Sequence, residues 1–211
     1  MSGAGLPVHG FVLAGGKSTR MGRDKPLLEI GGQPMVQVAV GKLQSFCAEA
    51  SIAGNRDDLS AFGTVVWEER VDAGAAAGIE AGLRAARQPW ALFMPVDVPL
   101  VPAELLRTWA AQVLREPRVV VGHLYAFRDQ PAFCMIRSGC ADAFSAALET
   151  GERKLARLFD RLVQSGGVHR VYSVRELYGA GYPGDESLRR MFMNVNTPED
   201  LAQVEGAITR D

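Results

Sequence analysis

No apolar run in this sequence approaches the ~20 residues that a membrane-spanning helix needs. The opening residues, Met1 to Pro7, lack the basic head and long apolar stretch of a secretory signal. Cysteine is scarce: Cys47, Cys134 and Cys140 are the only three, with no C-x-x-C pair and no metal spacing. An odd count at such distances suits a reducing compartment better than a disulfide framework, and together these absences point to the cytoplasm. A surplus of basic charge is also missing. The formal net charge is −1, which removes a sequence-independent nucleic-acid binder. Any anion site must therefore be a local concentration of cations and backbone amides. His9, His123 and His169 fall in separate segments with no common spacing and read as structural, and no Ser-His-Asp set is apparent.

What is present suits one domain over residues 1–211, with 47% hydrophobic and 22% charged residues. No repeat, low-complexity tract or long linker interrupts it. Residues 8–14 (VHGFVLA), 50–54 (ASIAG), 64–68 (TVVWE) and 90–96 (WALFMPV) read as strands, the last apolar enough to be covered on both faces. Between them, residues 34–46, 75–86 and 102–114 carry helical patterns, with Pro34 suited to a first turn. This alternation predicts an α/β fold with a mostly parallel sheet, and ligands bind such sheets outside the carboxyl ends of the strands. Residues 14–25, the Asn55 turn and the loop from Asp97 should then share one rim. The second half is less regular. Segments 118–127 and 130–137 are expected to pair antiparallel beside the main sheet, with an amphipathic helix over 151–163 and a strand over 168–174. A last helix is announced by Thr197 as N-cap, Pro198 at N1 and Asp200 at N3, a capping box.

The densest chemistry lies in LAGGKSTRMGRDK, residues 13–25. Gly16-Lys17-Ser18 suggests a P-loop, but the first glycine of G-x-x-x-x-G-K-[ST] would fall on Phe11. There is no G-x-G-x-x-G either. What remains is a strand end, a glycine pair that lets backbone approach a ligand, and Lys17, Arg20, Arg23 and Lys25 within nine residues. Gly22 allows a second bend, and Asp24 is placed to orient a neighbouring cation. Such a loop suits a triphosphate, whose several charges need neutralising. Asp97, at the end of an apolar strand, is placed to hold Mg²⁺ against phosphate oxygens, although Asp-Val-Pro would also serve as a turn.

This opening stretch resembles the signature of the molybdenum cofactor guanylyltransferase family, within nucleotidyltransferases that begin L-A-[GA]-G-x-S-x-R-[MF]-G-x-x-K. FMPVDVPLV is similar to the family's strand ending in D-x-P, and FMNVNTPEDL to its closing N-x-N-T-P-E-D-L, so the resemblance covers nearly the whole chain. It implies a Rossmann-like fold of the nucleotide-diphospho-sugar-transferase type, with a nucleotide half (1–115) and an acceptor half (116–211). It also implies transfer of GMP from GTP to the terminal phosphate of molybdenum-molybdopterin, with Mg²⁺ as cofactor and molybdoenzyme chaperones as downstream partners.

By resemblance, Leu13, Ala14, Gly15 and Gly16 contact the nucleotide, Arg20 and Lys25 neutralise its phosphates, Lys25 stabilises the transition state, and Asp97 holds the metal. Asn55 and Asp72 fall near the family's nucleotide contacts, a turn-forming Asn being the alternative at 55. Gly74 and Gly78 match the family's G-P-L-x-G segment, but Ala75-Ala76 replaces Pro-Leu on the base-recognition surface. Gly15 in place of a second alanine leans toward GTP rather than CTP. Asn194 and Asn196 should face one side of an extended segment, and Gln130-Pro131 resembles the acceptor-side segment. Cys134 reads as a core residue, and Arg153, Lys154 and Arg157 as a solvated helix face. The competing readings are a sister transferase using CTP or acting on a sugar phosphate, and a non-catalytic nucleotide-binding adaptor.

Overall fold

The first strand, β1 (Leu6–Leu13), is an interior strand of the sheet, and its side chains alternate between two cores. Val8 and Val12 face one, Phe11 and Leu13 the other. The computed structural model describes residues 5–15, 24–70 and 72–208. A short hairpin follows, β2 (Glu29–Ile30) and β3 (Gln33–Pro34), turned by Gly31 and Gly32 at φ of 56° and 75°, values that favour glycine. Helix α1 (Met35–Gln44) leads to β4 (Cys47–Ala53) and β5 (Thr64–Val66). Helix α2 (Ala75–Ala85), β6 (Trp90–Pro95) and α3 (Ala103–Leu114) complete the first half.

The second half continues with β7 (Val119–Tyr125), β8 (Asp129–Arg137), α4 (Ala141–Glu149), α5 (Leu155–Leu162) and β9 (Val168–Ser173). Helices α6 (Val174–Tyr178), α7 (Asp185–Met191) and α8 (Pro198–Ile208) close it. One seven-stranded sheet runs through both halves in the order β5-β4-β1-β6-β8-β7-β9. All neighbours pair parallel except β8, which runs against both β6 and β7. Helices α1, α3, α6, α7 and α8 supply buried residues to one face, and α2, α4 and α5 to the other. The sheet is thus mostly parallel and covered on both sides, the arrangement that demands uniformly apolar strands such as β6.

Helices α6 and α7 and the β2–β3 hairpin form where the sequence reading had no such elements, and four further details differ from it. The β7–β8 hairpin is antiparallel as expected, but it is built into the main sheet, β8 docking directly on β6 with Trp90 opposite Arg137 and Phe93 opposite Cys134. The strand expected over 64–68 stops at Val66, because Glu68 turns away to bond Asn55. The helix expected from 151 starts at Leu155: Gly151 has φ of 86°, and Glu152 Oε1 accepts the amide N–H of Arg153 and Lys154 at 2.9 and 2.8 Å. Helix α4 was not anticipated, its Phe144, Ala147 and Leu148 packing into the core. The capping box forms as expected. Asp200 Oδ2 accepts from the N–H of Asn196 and Thr197, each at 2.9 Å, and Asp200 N–H donates to Thr197 Oγ1 at 3.2 Å.

Candidate active site

Three parallel strands end side by side: Leu13 lies opposite Ala53 of β4 and Pro95 of β6. The backbone continues this alignment past the strands. Ala14 N–H donates to Ala53 O at 2.9 Å, Val96 N–H to Leu13 O at 3.1 Å, and Gly54 N–H to Val66 O at 3.1 Å. The residue after each strand therefore arrives on the same rim, and a cleft of about 170 Å³ opens there. It is lined by Leu13, Ala14 and Gly15 from β1, Val96 and Asp97 from β6, Lys25 and Pro26, Glu68, Gly74, Ala75 and Ala132. Gly74 is the N-cap of α2 and, as a glycine, brings no side chain to that end of the helix. Its first-turn N–H groups thus begin at the cleft wall, a favourable setting for an anion.

Lys25 is the centre of the polar network. Its Nζ donates to Asn196 Oδ1 at 2.6 Å and lies 3.2 Å from Asp97 Oδ2, both members of the ion pair being only 20% exposed. The loop carrying Asp97 is anchored twice. Val195 N–H donates to Asp97 O at 2.8 Å, and Lys42 on α1 donates to Pro99 O and, at 2.8 Å, to Val101 O. Burial lowers the Lys42 ammonium to about 8, although these carbonyls favour its charged form. Two segments distant in sequence thus converge on the Lys25 ammonium.

The remaining residues singled out in the sequence are distributed as follows. Asn55 spans two turns: its Nδ2 donates to Glu68 O at 3.0 Å, and its Oδ1 accepts Glu68 N–H at 2.7 Å. Each end of the amide retains capacity for a second bond. Asp72 stands in an exposed turn at φ of 61° and is not among the residues lining the cleft. Asp24 pairs with Arg56. Asn194 accepts from Arg128 at 3.5 Å, while the enclosed Nε2 of Gln130 has no hydrogen-bond partner among the described residues. Gly16, Lys17, Arg20, Gly22 and Arg23 lie outside the described residues. Cys134 is fully buried and its thiol is pushed up by that burial, so it behaves as a core residue.

One residue escaped the sequence reading. Glu68 lines the cleft, and its carboxylate occupies a niche made by two glycines. A Cβ on Gly15 would overlap Glu68 Oε1, and one on Gly78 would stand 3.1 Å from it. Burial raises the Glu68 carboxyl above its ordinary range. The histidines also hold a surprise: His123 and His169, expected to be unrelated, are in contact, Nδ1 to Nε2, at 2.9 Å. None of the three histidines lines the cleft.

The fold and its cleft define an α/β nucleotidyltransferase of the nucleotide-diphospho-sugar-transferase type. A solved structure from Archaeoglobus fulgidus, molybdopterin-guanine dinucleotide biosynthesis protein A, superposes with a TM-score of 0.74 at 20% identity, over 96% of this chain and 100% of that one. CMP:2-keto-3-deoxy-manno-octonic acid synthetase, solved with CTP, shares the fold at a TM-score of 0.70 and 15% identity, covering 96% and 98% of the two chains. The profile of the MobA-like NTP transferase domain matches residues 10–166, and the chain belongs to that family. Its relatives include the molybdenum cofactor guanylyltransferase of Burkholderia vietnamiensis, 38% identical over 92% of this chain and 94% of the other. The protein of the same name from Vibrio atlanticus is 32% identical over 91% and 92% of the two chains.

Proposed function

We propose that the protein transfers GMP from GTP to the terminal phosphate of molybdenum-molybdopterin, releasing pyrophosphate. The carrying observation is that relatives named molybdenum cofactor guanylyltransferase match it along more than nine-tenths of both chains, at 32% and 38% identity. The cleft suits that chemistry. An acceptor phosphate oxygen forms the new bond to the α-phosphorus, the bond from that phosphorus to the bridging oxygen breaks, and pyrophosphate leaves with the electron pair. A phosphate is already largely ionised at neutral pH, its second pKa being about 6, so no general base is needed. This agrees with the absence of histidine from the cleft lining.

The barrier is repulsion between anions, which positioning and fixed cations overcome. Lys25 supplies a positive charge already held in place by Asp97 and Asn196, and by family resemblance Arg20 adds a second. Leu13, Ala14, Gly15 and Gly16 take the nucleotide along the main chain, with Asn55 beside it. Glu68 offers two acceptor oxygens to the adjacent N–H donors on the edge of guanine, a pair that cytosine does not present. A Mg²⁺ ion fits Asp97, since Mg²⁺ is commonly held by one or two carboxylates plus substrate phosphates. Among the described residues no cluster of three acidic, histidine or cysteine side chains forms a separate cage. When bound, the ion neutralises phosphate charge.

In this reading residues 1–115 hold the nucleotide and 116–211 the acceptor, with Gln130, Asn194 and Asn196 on the acceptor side. Hand-over of the product to a molybdoenzyme chaperone in the cytoplasm completes it. Ala75, which lines the cleft where the family has proline, leaves one specific rival, a cytidylyl transferase. Pyrophosphate release with Mg²⁺ and molybdenum-molybdopterin, compared among GTP, CTP, ATP and UTP, decides between them. GTP alone should support release. Equal or faster release from CTP would overturn the guanylyl assignment, and silence with all four would overturn transfer itself.

A further inference from the structure

The turn between β7 and β8 holds an arrangement that the transfer chemistry above does not use. Phe127 is partly buried and packs against the core, while the guanidinium carbons of Arg128 and Arg189 stand 5.3 and 5.2 Å from its ring centroid. Arg128 is in the turn, closed by Ala126 N–H donating to Arg128 O at 3.1 Å, whereas Arg189 arrives from α7. Neither arginine makes an ion pair among the described residues, unlike Arg56, Arg70 and Arg170, each of which meets a carboxylate. Both guanidiniums are exposed and gathered on one ring, and no described carboxylate is within ion-pair distance of either. Two planar, fork-shaped donors positioned by one aromatic ring suit a flat anionic ligand.

The patch also adjoins the reaction centre. Arg128 donates to Asn194, and Asn196, two residues on, receives Lys25. Val195 between them is fully buried, so both asparagines turn outward, and two extended residues span roughly 7 Å. The arginine pair therefore begins about one such step from the lysine, on the side of the sheet order that carries β8, β7 and β9.

Resting on the transfer reading above, we infer that Phe127, Arg128 and Arg189 form an acceptor subsite, which grips the anionic, planar body of the acceptor while its phosphate reaches Lys25. Asn194 orients Arg128 for that grip. The subsite offsets the charge that opposes the meeting of two polyanions, and it does so on the acceptor without touching the nucleotide.

The test compares wild type with R128Q/R189Q, with F127L, and with R107Q/R115Q, which removes the same charge from exposed positions on and after α3. Loss of a charge-assisted hydrogen bond corresponds to about tenfold or more in affinity. The expected result is an acceptor KM raised at least about tenfold in R128Q/R189Q, with the GTP KM unchanged, a smaller rise in F127L and none in R107Q/R115Q. Salt should also weaken acceptor use by wild type more than by R128Q/R189Q. An unchanged acceptor KM, or an equal rise in the GTP KM, would overturn the subsite. Direct binding of molybdopterin without nucleotide, followed by fluorescence, separates this inference from the transfer reading. Wild-type binding that is lost in R128Q/R189Q supports the subsite even if no nucleotide is ever transferred. Equal binding by both proteins, or none by wild type, rejects it.

Discussion

At the scale of single residues, Lys25 carries the most. Its ammonium is mostly shielded and held by two partners, so the charge is already in place before a substrate arrives. Removing such a preorganised group costs about 10²–10³-fold in turnover. Lys25→Met and Asp97→Asn should each lower kcat by at least about 10²-fold, read as pyrophosphate release at saturating substrates. Near-wild-type turnover in Asp97→Asn would remove the metal role from that carboxylate. Both residues were legible in the sequence, one from a basic run after a strand, the other from an acid at the end of an apolar one. Glu68 was not legible. In VVWEER nothing distinguishes it from Glu69, and only the placement of β5 beside β4 carries its backbone to the rim. Asp72 drew attention instead because the resemblance favoured that neighbourhood, yet the cleft takes its acidic lining from Glu68 and Asp97.

Elements are positioned by devices of very unequal visibility. The start of α8 could be read from N-T-P-E-D alone, since a capping box is local chemistry. Asp200 also bonds the N–H of Asn196, so the cap steadies the residue that holds Lys25. Asp200→Ala should cost about 1 kcal/mol, the usual value for a lost cap, seen as a lower urea midpoint with an unchanged slope. A midpoint equal to wild type would mean that Thr197 caps the helix unaided. The insertion of β8 beside β6 had no such local mark. Antiparallel pairing of 118–127 with 130–137 follows from their patterns, but which strand of the hairpin meets the sheet depends on long-range packing. Helix α4 was missed for a similar reason: its short apolar face gains meaning only against α2 and α5.

Across the whole molecule, two buried imidazoles link stability to pH. His9 Nδ1 accepts Arg87 N–H at 3.3 Å, which leaves Nε2 to donate to Ser51 Oγ at 3.0 Å. His169 donates from Nδ1 to Asp160 at 3.0 Å, so its Nε2 accepts from His123 Nδ1. His9 must be neutral to accept the Arg87 N–H, and burial lowers the proton affinity of both His9 and His123 from 6.5. The other charges facing them are Glu49 and Arg87 at His9, and Asp129, His169 and Asp160 at His123. Because the unfolded chain binds these protons more readily, stability should fall as pH drops below 6.5. The melting temperature should therefore decrease between about pH 7.5 and pH 5.5, above the ordinary carboxylate range. His123→Gln should flatten that slope, and an identical slope in the variant would assign the effect elsewhere. Sequence spacing gave no sign of the His123–His169 contact, because it depends on β7 and β9 lying side by side.

The bond from Lys25 to Asn196 joins positions 171 residues apart, and the one from Val195 to Asp97 brings the same late segment onto the Asp97 loop. During synthesis the glycine turn, the lysine and the aspartate all leave the ribosome well before this segment does. A nascent chain can therefore form most of its sheet while the site still lacks its last support. The network is complete only when the final stretch docks, so a chain broken off before Asn194 lacks the partner that holds Lys25 from its second side.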